Sequence, residues 1–557
     1  MVLLVLGASA IIFIFLLRLL SGKEVRTLNG STAKLIGLLV FLNLLNLIYT
    51  KNPYHTRIAL TFNVGSLILL VAVAIYGKPR WILWAIVGAG FLVAIQSVLE
   101  AAGWNVLFRG PLPKTQIVST IGNSNFLGAY LIFPIYSALA LLFSCKQKRY
   151  FAFLLTALTV LFAALVLSRA RAAWLSVSIV FPFFLFFALR IRQIKIGWSK
   201  VAVYGLCLAT LFFGIYLSAP ARFNSVLNPK LLFETTTLKL RILKYSRPSF
   251  ELFKQSPLVG TGMWSYRNEL YETQAMLNKK DPGFFKNYVL PKPRRAHNEY
   301  LEVLNDGGLL VAFVLAGLLV SVFRHGVLVT KTASRTNEDR LIALGCITAV
   351  TATMIDAFFF FPFRVCVTVS TFALMLGVIE RLHTVSTART YRIPRLSRMI
   401  FRAVIPVLLV FWIWQSGFRH LVAERYWRNH RVAIVKNDME NAEQNILRAL
   451  KFDPFSTEYN YYAATFFLHV VPKYQRALHH AHTALYHFNG DIVLWAVHFA
   501  RGMINYKLGN VAGAYQDFQK TLELNPSETQ AENWLKKLDQ IYDNHKKVII
   551  ELHDREG

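Results

Sequence analysis

Twelve long apolar runs constrain the fold of this chain more than any other feature of its sequence. A helix needs about 20 mostly apolar residues to cross the hydrocarbon core of a bilayer, and 55% of the 557 residues are hydrophobic. The runs lie at 1–20, 33–50, 58–77, 81–99, 121–144, 151–167, 172–189, 201–219, 308–323, 341–361, 363–380 and 400–418. The sequence therefore predicts an all-α protein whose first part, residues 1–418, is a polytopic bundle of about twelve transmembrane helices.

Lysine and arginine residues cluster in every second short loop between these runs, for example at 78–80, 146–149 and 190–200. Short loops rich in Lys and Arg stay in the cytoplasm. This pattern places the N-terminus, the long loop 220–306 and everything after Arg419 outside the cytoplasm. The first run has neither a basic start nor a clear cleavage site, so we interpret it as a span rather than a signal peptide.

The net charge of +31 is concentrated in the membrane part of the chain. Before Arg419 there are 44 basic and 14 acidic residues, whereas 17 basic and 16 acidic residues follow from that position. Basic loops between apolar runs favour contact with anionic lipid head groups, and they argue against a nucleic-acid-binding function. The four cysteines are not paired at short spacing, so no disulfide framework or zinc site is indicated.

Helical repeats occupy the last part of the sequence, residues 419–557. Ala442, Ala477 and Ala514 each lie twelve residues before a helix-ending residue, at spacings of 35 and 37. The third unit, which contains Leu508-Gly509 and Pro526, resembles the tetratricopeptide pattern of paired helices. Repeats of this kind bind partners along a groove, so we expect an extracytoplasmic α-solenoid that can bind a protein partner.

Two arginines, Arg169 and Arg171, lie between two apolar runs at the predicted outer surface. Arginines there are expected at an interface or beside a wet cavity, although a short turn with snorkelling side chains is an equally good interpretation. The long loop is also cationic, with 14 basic and 6 acidic residues over 220–300. A cationic outer loop suits an anionic ligand such as a pyrophosphate, and a merely soluble basic loop is the alternative.

His297 follows Arg294 and Arg295 and begins a helix that carries Asn298 and Glu299. Histidine is the usual general base near neutral pH, and neighbouring arginines favour its neutral form, which can accept a proton. A lone histidine at a helix start is more often a cap or a surface residue, and that alternative stays open here.

Four motifs occur in the order found in the O-antigen ligase and O-antigen polymerase family of bacterial envelope enzymes. The chain resembles this family over roughly 115–380. The motifs are Gly122-Asn123-x-Asn125-x-x-Gly128; Ser168 to Leu175 with Arg171 three residues before Trp174; Arg241 with the later Pro257-Leu-x-Gly-x-Gly262 turn; and His297-Asn298-x-Tyr300-Leu301.

The resemblance implies a glycosyltransferase that moves a glycan from a polyprenyl-pyrophosphate donor to a glycan, lipid or protein acceptor, at the outer face of the bacterial cytoplasmic (inner) membrane. It implies no metal, cofactor or nucleotide sugar. On this hypothesis His297 is the base of one inverting displacement, and Arg171 neutralises the leaving pyrophosphate. Substrate binding is assigned to Arg169, Arg241, Arg294, Arg295, Asn298 and Glu299, with Glu299 as a possible orienter of His297.

Three other functions stay open from the sequence. A surface-polysaccharide polymerase belongs to the same class of enzyme, and the tetratricopeptide repeats, which a plain lipopolysaccharide ligase lacks, leave the acceptor undecided. A transporter of lipid-linked sugars should show internal repeats and broken helices in its membrane half, and the sequence shows neither. A non-catalytic membrane scaffold would use the repeats alone.

Fusion of a topology reporter tests this arrangement. A reporter placed after Gly557, or within Lys279–Lys292, should be active only outside the cytoplasm, and one near Arg335 should report the cytoplasm, because the basic loops are retained inside. A cytoplasmic signal from the fusion after Gly557 would contradict both the helix count and the placement of the repeats.

Overall fold

A computed structural model of the protein describes residues 25–26, 28, 30–104, 116–193, 198–228, 245–282, 295–384, 390–391 and 395–541. The described part is almost entirely helical. Its helices are α1 Gly30–Tyr49, α2 Pro53–Tyr76, α3 Pro79–Ala101, α4 Ser124–Ser144, α5 Lys148–Ser168, α6 Arg171–Arg192, α7 Trp198–Ser218, α8 Pro220–Val226, α9 Arg247–Gln255, α10 Tyr266–Lys280, α11 Glu299–Lys331, α12 Asn337–Asp356, α13 Cys366–Thr384, α14 Arg395–Ile413, α15 Arg419–Val435, α16 Met439–Phe452, α17 Thr457–His469, α18 Tyr474–Tyr486, α19 Leu494–Lys507 and α20 Val511–Leu524. Two short strands, β1 Val25–Arg26 and β2 Thr390–Tyr391, pair antiparallel.

The all-α architecture predicted from the apolar runs is confirmed, but the count of about twelve spans is not. Eight helices, namely α1 to α6, α11 and α13, are long and apolar enough to cross a membrane. The run 1–20 lies outside the described residues. Two further runs contain shorter apolar helices, Gly205–Ser218 and Ala403–Ile413. Helix α12 begins with three charged residues, Glu338, Asp339 and Arg340, and a charge is costly within the hydrocarbon core of a bilayer.

Helix α4 lies at the centre of the bundle. Its residues from Leu127 to Leu141 are all buried, and small residues on its neighbours allow close approach. A Cβ on Gly345 of α12 would lie 2.6 Å from the Ala140 Cβ, and one on Gly90 of α3 would lie 2.3 Å from Pro134. Membrane helices pack through small residues in this way because no hydrophobic effect drives them together within lipid.

The bundle has two chemically different ends. At the end that we call the basic end, Arg381 donates to the carbonyls of Gly77 and Ile75, and Arg80 pairs with Glu338. At the opposite end, the loop end, the chain after α1 contacts the long loop: Lys51 N–H donates to Thr261 O at 3.2 Å. The candidate active site lies at the loop end.

A glycine turn of the long loop is fastened to the kink of α11. Gly308 has φ 62° inside that helix. The backbone N–H groups of Leu309 and Leu310 donate to the carbonyls of Pro257 and Leu258, while those of Thr261 and Gly262 donate to Asn305 and Asp306. The turn at 257–262 and the kink at Gly308 of α11 therefore form one backbone-to-backbone junction.

The repeats form antiparallel helix pairs from α15 to α20, followed by a helix at 529–541. Ala442, Ala477 and Ala514 are fully buried in the second helix of each pair, as their spacing predicts. The repeats also pack on the long loop, because Tyr271 and Ala275 of α10 share an apolar cluster with Leu494 and Leu524. The repeat half is therefore attached to the membrane half by a surface as well as by the connecting chain.

Replacing Gly308 with alanine should weaken this glycine junction. A Cβ there would lie 2.3 Å from the backbone of Leu258, at a positive φ that disfavours any side chain. We expect a loss of about 2 kcal/mol or more in the free energy of unfolding, measured by thermal unfolding in detergent. Gly317→Ala on the same helix is the control, because its Cβ would meet only Leu35 at 3.5 Å; equal effects of the two changes would contradict the junction.

Candidate active site

The residues predicted to act in the site fall into three groups. Arg241 and Arg294 lie outside the described residues. Arg169 and Arg171 lie at the turn between α5 and α6, and Arg295, His297, Asn298 and Glu299 lie at the start of α11. Both described groups are at the loop end of the bundle, although 126 residues separate Arg171 from His297 in the sequence.

The turn that carries the two arginines is held by its own motif. Arg169 is in the left-handed conformation, with φ 56°. The Ser168 hydroxyl accepts from the Ala170 N–H at 3.2 Å, and the Trp174 Nε1–H donates to the Leu165 carbonyl at 2.6 Å. Arg171 then begins α6 with an exposed side chain. Partial burial and the neighbouring charge of Arg171 lower the pKa of Arg169, so an anion beside this turn would be stabilised.

The Gly-Asn motif places α4 against this turn. Gly122 has φ 84°, and Asn123 caps α4 by accepting from the N–H groups of Asn125 and Phe126. Gly128 packs so closely that a Cβ would lie 2.1 Å from the Cβ of Ala170. The N-termini of α4 and α6 are therefore adjacent, and both direct backbone N–H groups and a partial positive charge toward the same end of the bundle.

Aromatic rings connect this region to His297. The Phe126 ring lies 5.8 Å from that of Phe361, and the Phe361 ring lies 5.1 Å from the imidazole of His297. On its other side His297 contacts Tyr245, with ring centroids 5.3 Å apart. The arginine turn is thus linked to the histidine through α4: Ala170 packs on Gly128, and Phe126 of the same helix contacts Phe361, which contacts His297.

His297 is held in a strained conformation by its neighbours. Its φ of 53° lies in the left-handed region, which costs a non-glycine residue about 1–2 kcal/mol. Ala296 N–H donates to Glu302 Oε1 at 2.8 Å, while Asn298 caps α11 through Leu301 N–H and donates to the Phe358 carbonyl. Because both neighbours are fixed, the backbone of His297 is fixed between them. Asn298 thus has a capping role in addition to any contact with substrate.

Arg295 is buried between an aromatic ring and a carboxylate. Its guanidinium lies 4.3 Å from the Trp264 ring centroid and 3.4 Å from Glu302 Oε2. Burial lowers the pKa of Arg295 to about 10, and the charge of Glu302 acts in the opposite direction. The guanidinium of Arg295 is therefore engaged within the protein.

Arg364 is the functional residue that the sequence reasoning missed. Its guanidinium binds Glu299 Oε1 at 2.8 Å, lies 3.5 Å from Glu302 and also pairs with Asp306. Burial alone would lower the pKa of Arg364, but the three carboxylates outweigh burial and raise it. The signal for Arg364 was its charge near the start of the apolar run 363–380. A charged residue inside an apolar run is expected to pair with another polar group.

Glu299 was predicted as an orienter of His297, and the structure shows its carboxylate engaged elsewhere. Glu299 Oε2 accepts from Phe363 N–H at 3.1 Å, and Oε1 accepts from Arg364. It therefore fixes the segment from Phe361 to Arg364, whose Phe361 ring contacts His297. Any effect of Glu299 on the imidazole through these bonds is indirect.

A cavity of about 140 Å³ lies between α1, α2, α11 and α13. Near the loop end it is lined by Asn46, Glu299 and Arg364, and toward the bundle middle by leucines such as Leu315 and Leu318. This lining fits an apolar chain with a polar end better than a free sugar.

The arrangement suits chemistry in which negative charge develops on a leaving group. Exposed Arg171, the adjacent Arg169 and two helix N-termini provide preorganised positive charge, and His297 lies at the same end of the bundle on a constrained backbone. Such fixed charges stabilise a developing anion better than water, which must reorient. Glu302, Asp306 and Glu299 are engaged by arginines, and the described residues place no cluster of three potential metal ligands here.

Comparison with known proteins agrees with this geometry. A family model described as O-antigen ligase matches residues 155–316, and a tetratricopeptide repeat model matches residues 495–528. The first match spans the arginine turn, the glycine junction and His297; the second spans the third repeat. A search of curated proteins found no match to the chain.

Removal of the Arg364 guanidinium should destabilise the protein strongly. The change Arg364→Met leaves the carboxylates of Glu299 and Asp306 buried without their cation, and breaking a buried ion pair in this way costs about 3–5 kcal/mol. Thermal unfolding in detergent measures the loss. Arg428→Met is the control, because its pair with Glu424 is exposed and should be worth less than about 1 kcal/mol. Similar losses for the two variants would refute the role of Arg364.

Proposed function

We propose, from the O-antigen ligase domain and the geometry around it, that this protein is a membrane glycosyltransferase of the O-antigen ligase type. It transfers a glycan from a polyprenyl-pyrophosphate donor to an acceptor hydroxyl at the outer face of the bacterial inner membrane. The observation that carries the proposal is the chain of contacts joining the turn of Arg169 and Arg171 to the constrained His297 at one end of the bundle.

The proposed reaction is a single inverting displacement. The imidazole of His297 accepts the proton of the acceptor hydroxyl, and the hydroxyl oxygen forms a bond to the anomeric carbon. The bond from that carbon to the phosphate oxygen breaks, and its electron pair leaves with the polyprenyl pyrophosphate. The proton stays on the imidazole until it passes to solvent.

Positive charge on the leaving-group side supports this assignment. A pyrophosphate oxygen gains negative charge as the bond breaks, and Arg171 can bind it with the bidentate geometry of a guanidinium. Arg169 and the N-termini of α4 and α6 add charge at the same place. Metal-independent transfer belongs to the proposal, because these groups supply the charge stabilisation that a bound cation gives in other enzymes.

The acceptor side includes the long loop. Arg295 stacks on Trp264, and the same loop continues into α10, which packs on the repeats through Tyr271. In this proposal the loop and the repeats together form the region where the acceptor, or a protein that delivers it, approaches His297. The apolar cavity beside Glu299 and Arg364 is a candidate place for the lipid chain of the donor.

Transfer activity after substitution tests the proposal. In proteoliposomes that contain a polyprenyl-pyrophosphate-linked oligosaccharide and extracted envelope material as acceptor, His297→Ala should lower the turnover by about 10²- to 10⁴-fold, because general-base catalysis contributes that much. Arg171→Lys should also lose activity, on the order of tenfold or more, because an ammonium group lacks the planar fork.

Arg190→Lys is the matched control, because it lies on the same helix as Arg171 but in its last turn, at the basic end. Its activity should equal that of the unchanged protein. Wild-type turnover in a folded, inserted His297→Ala variant would overturn the catalytic assignment. The scaffold function would be favoured if the unchanged protein transferred no glycan while its repeats still bound a partner.

A further inference from the structure

A second cluster of chemically active side chains lies at the basic end of the bundle. It consists of His325 on α11 and of Glu380 and His383 on α13, and their ligand-type atoms all lie within 4.8 Å of one another. The two imidazole rings are stacked, with centroids 3.9 Å apart and an interplanar angle of 8°. His325 is 26 residues along α11 from Glu299, about 39 Å at the rise of a helix, so the cluster is separate from the candidate active site.

The carboxylate of Glu380 is fully buried. One oxygen, Oε1, lies 2.6 Å from His325 Nδ1 and accepts from the Thr32 hydroxyl at 3.3 Å. The other oxygen, Oε2, has no hydrogen-bond partner among the residues that the structure describes. A buried carboxylate oxygen without a partner is costly, and such an atom calls for an unseen partner such as an ion.

The spacing of the three residues fits metal coordination. Glu380 and His383 are three residues apart on one helix, so their side chains project from the same face. A Glu-x-x-His pair on one helix, completed by a ligand from a facing helix, is a common way to build a metal site in a helix bundle. Thr32 of α1 lies on a third side of the carboxylate.

The donor set indicates the class of ion. Two imidazole nitrogens and one carboxylate oxygen suit Zn²⁺ and its transition-metal neighbours. Mg²⁺ and Ca²⁺ prefer sites made only of oxygen atoms. Three protein ligands leave one position of a tetrahedral ion for water. Bonds of about 2.0–2.1 Å from Zn²⁺ to its ligands require the three donor atoms to lie closer together than 4.8 Å. Rotation of the half-buried His383 side chain can bring them closer.

We propose that His325, Glu380 and His383 bind one divalent transition-metal ion of the zinc class, and that this ion fastens α11 to α13 at the basic end. Both helices also reach the candidate active site: α11 begins beside His297, and α13 follows Arg364. The proposal is independent of the glycosyl-transfer function.

Metal binding by the full-length protein, purified in detergent without a histidine tag, tests this inference. After treatment with a chelator and dialysis, the protein should take up about one equivalent of Zn²⁺ by calorimetry and by elemental analysis. Co²⁺ in the same site should give the visible absorption of a tetrahedral ion. Added Zn²⁺ should raise the midpoint of thermal unfolding, because a ligand that binds only the folded state stabilises it.

Glu380→Gln and His383→Ala should each weaken Zn²⁺ binding about 100-fold or more, since loss of a supporting residue alone costs 10- to 100-fold. His420→Ala is the matched control, because it removes another histidine paired with a carboxylate, Asp453, and should keep full binding. Folding of each variant is checked by gel filtration, and Glu380→Gln keeps the side-chain volume. The proposal fails if the unchanged protein takes up less than stoichiometric Zn²⁺, or if a folded Glu380→Gln variant binds it as tightly as the control.

Discussion

The ion network around Arg364 determines how the loop end of the bundle is assembled. Glu299, Glu302 and Asp306 lie on one face of the first turns of α11, and the guanidinium of Arg364 lies among them. Each of these charges would be costly to bury alone, and together they satisfy one another. Because Arg364 belongs to the segment that also carries Phe361, the network fixes the ring against which the His297 imidazole packs.

The same network connects the long loop and the repeats to the bundle. Glu302 accepts from Ala296 N–H and from Arg295, and Arg295 stacks on Trp264 of the loop. Three residues after Trp264, Arg267 pairs with Asp491 of the repeat half at 3.0 Å. A continuous set of charged and aromatic contacts therefore runs from the membrane helices to the repeats.

The motifs that give the chain its family resemblance have a structural role in this assembly. Gly128 allows α4 to approach Ala170, and Gly260 and Gly308 allow the loop turn to touch the backbone of α11. Gly262 allows the same turn to approach Thr50, which follows α1. In each case a Cβ would overlap the neighbouring chain. The glycines and caps thus create the space and the fixed backbone around the candidate site.

The sequence by itself determined the structural features that depend on local patterns of residues. Apolar runs specified the helices because each helix satisfies its own backbone hydrogen bonds within one segment. The spacing of Ala442, Ala477 and Ala514 specified the repeats because small residues recur where paired helices touch. The order of motifs selected Arg171 and His297 as candidates, but no sequence distance could show that they share one end of the bundle.

Only the tertiary structure decided which distant charges meet. Arg364 contacts carboxylates 58 to 65 residues away, and His325 meets Glu380 across 55 residues. Neither pairing follows from helical periodicity, which relates residues three or four apart. It depends on which faces of α11 and α13 are turned toward each other, and packing of the whole bundle sets that rotation. The buried cation at the loop end and the candidate metal site at the basic end could therefore be found only once the helices were placed side by side.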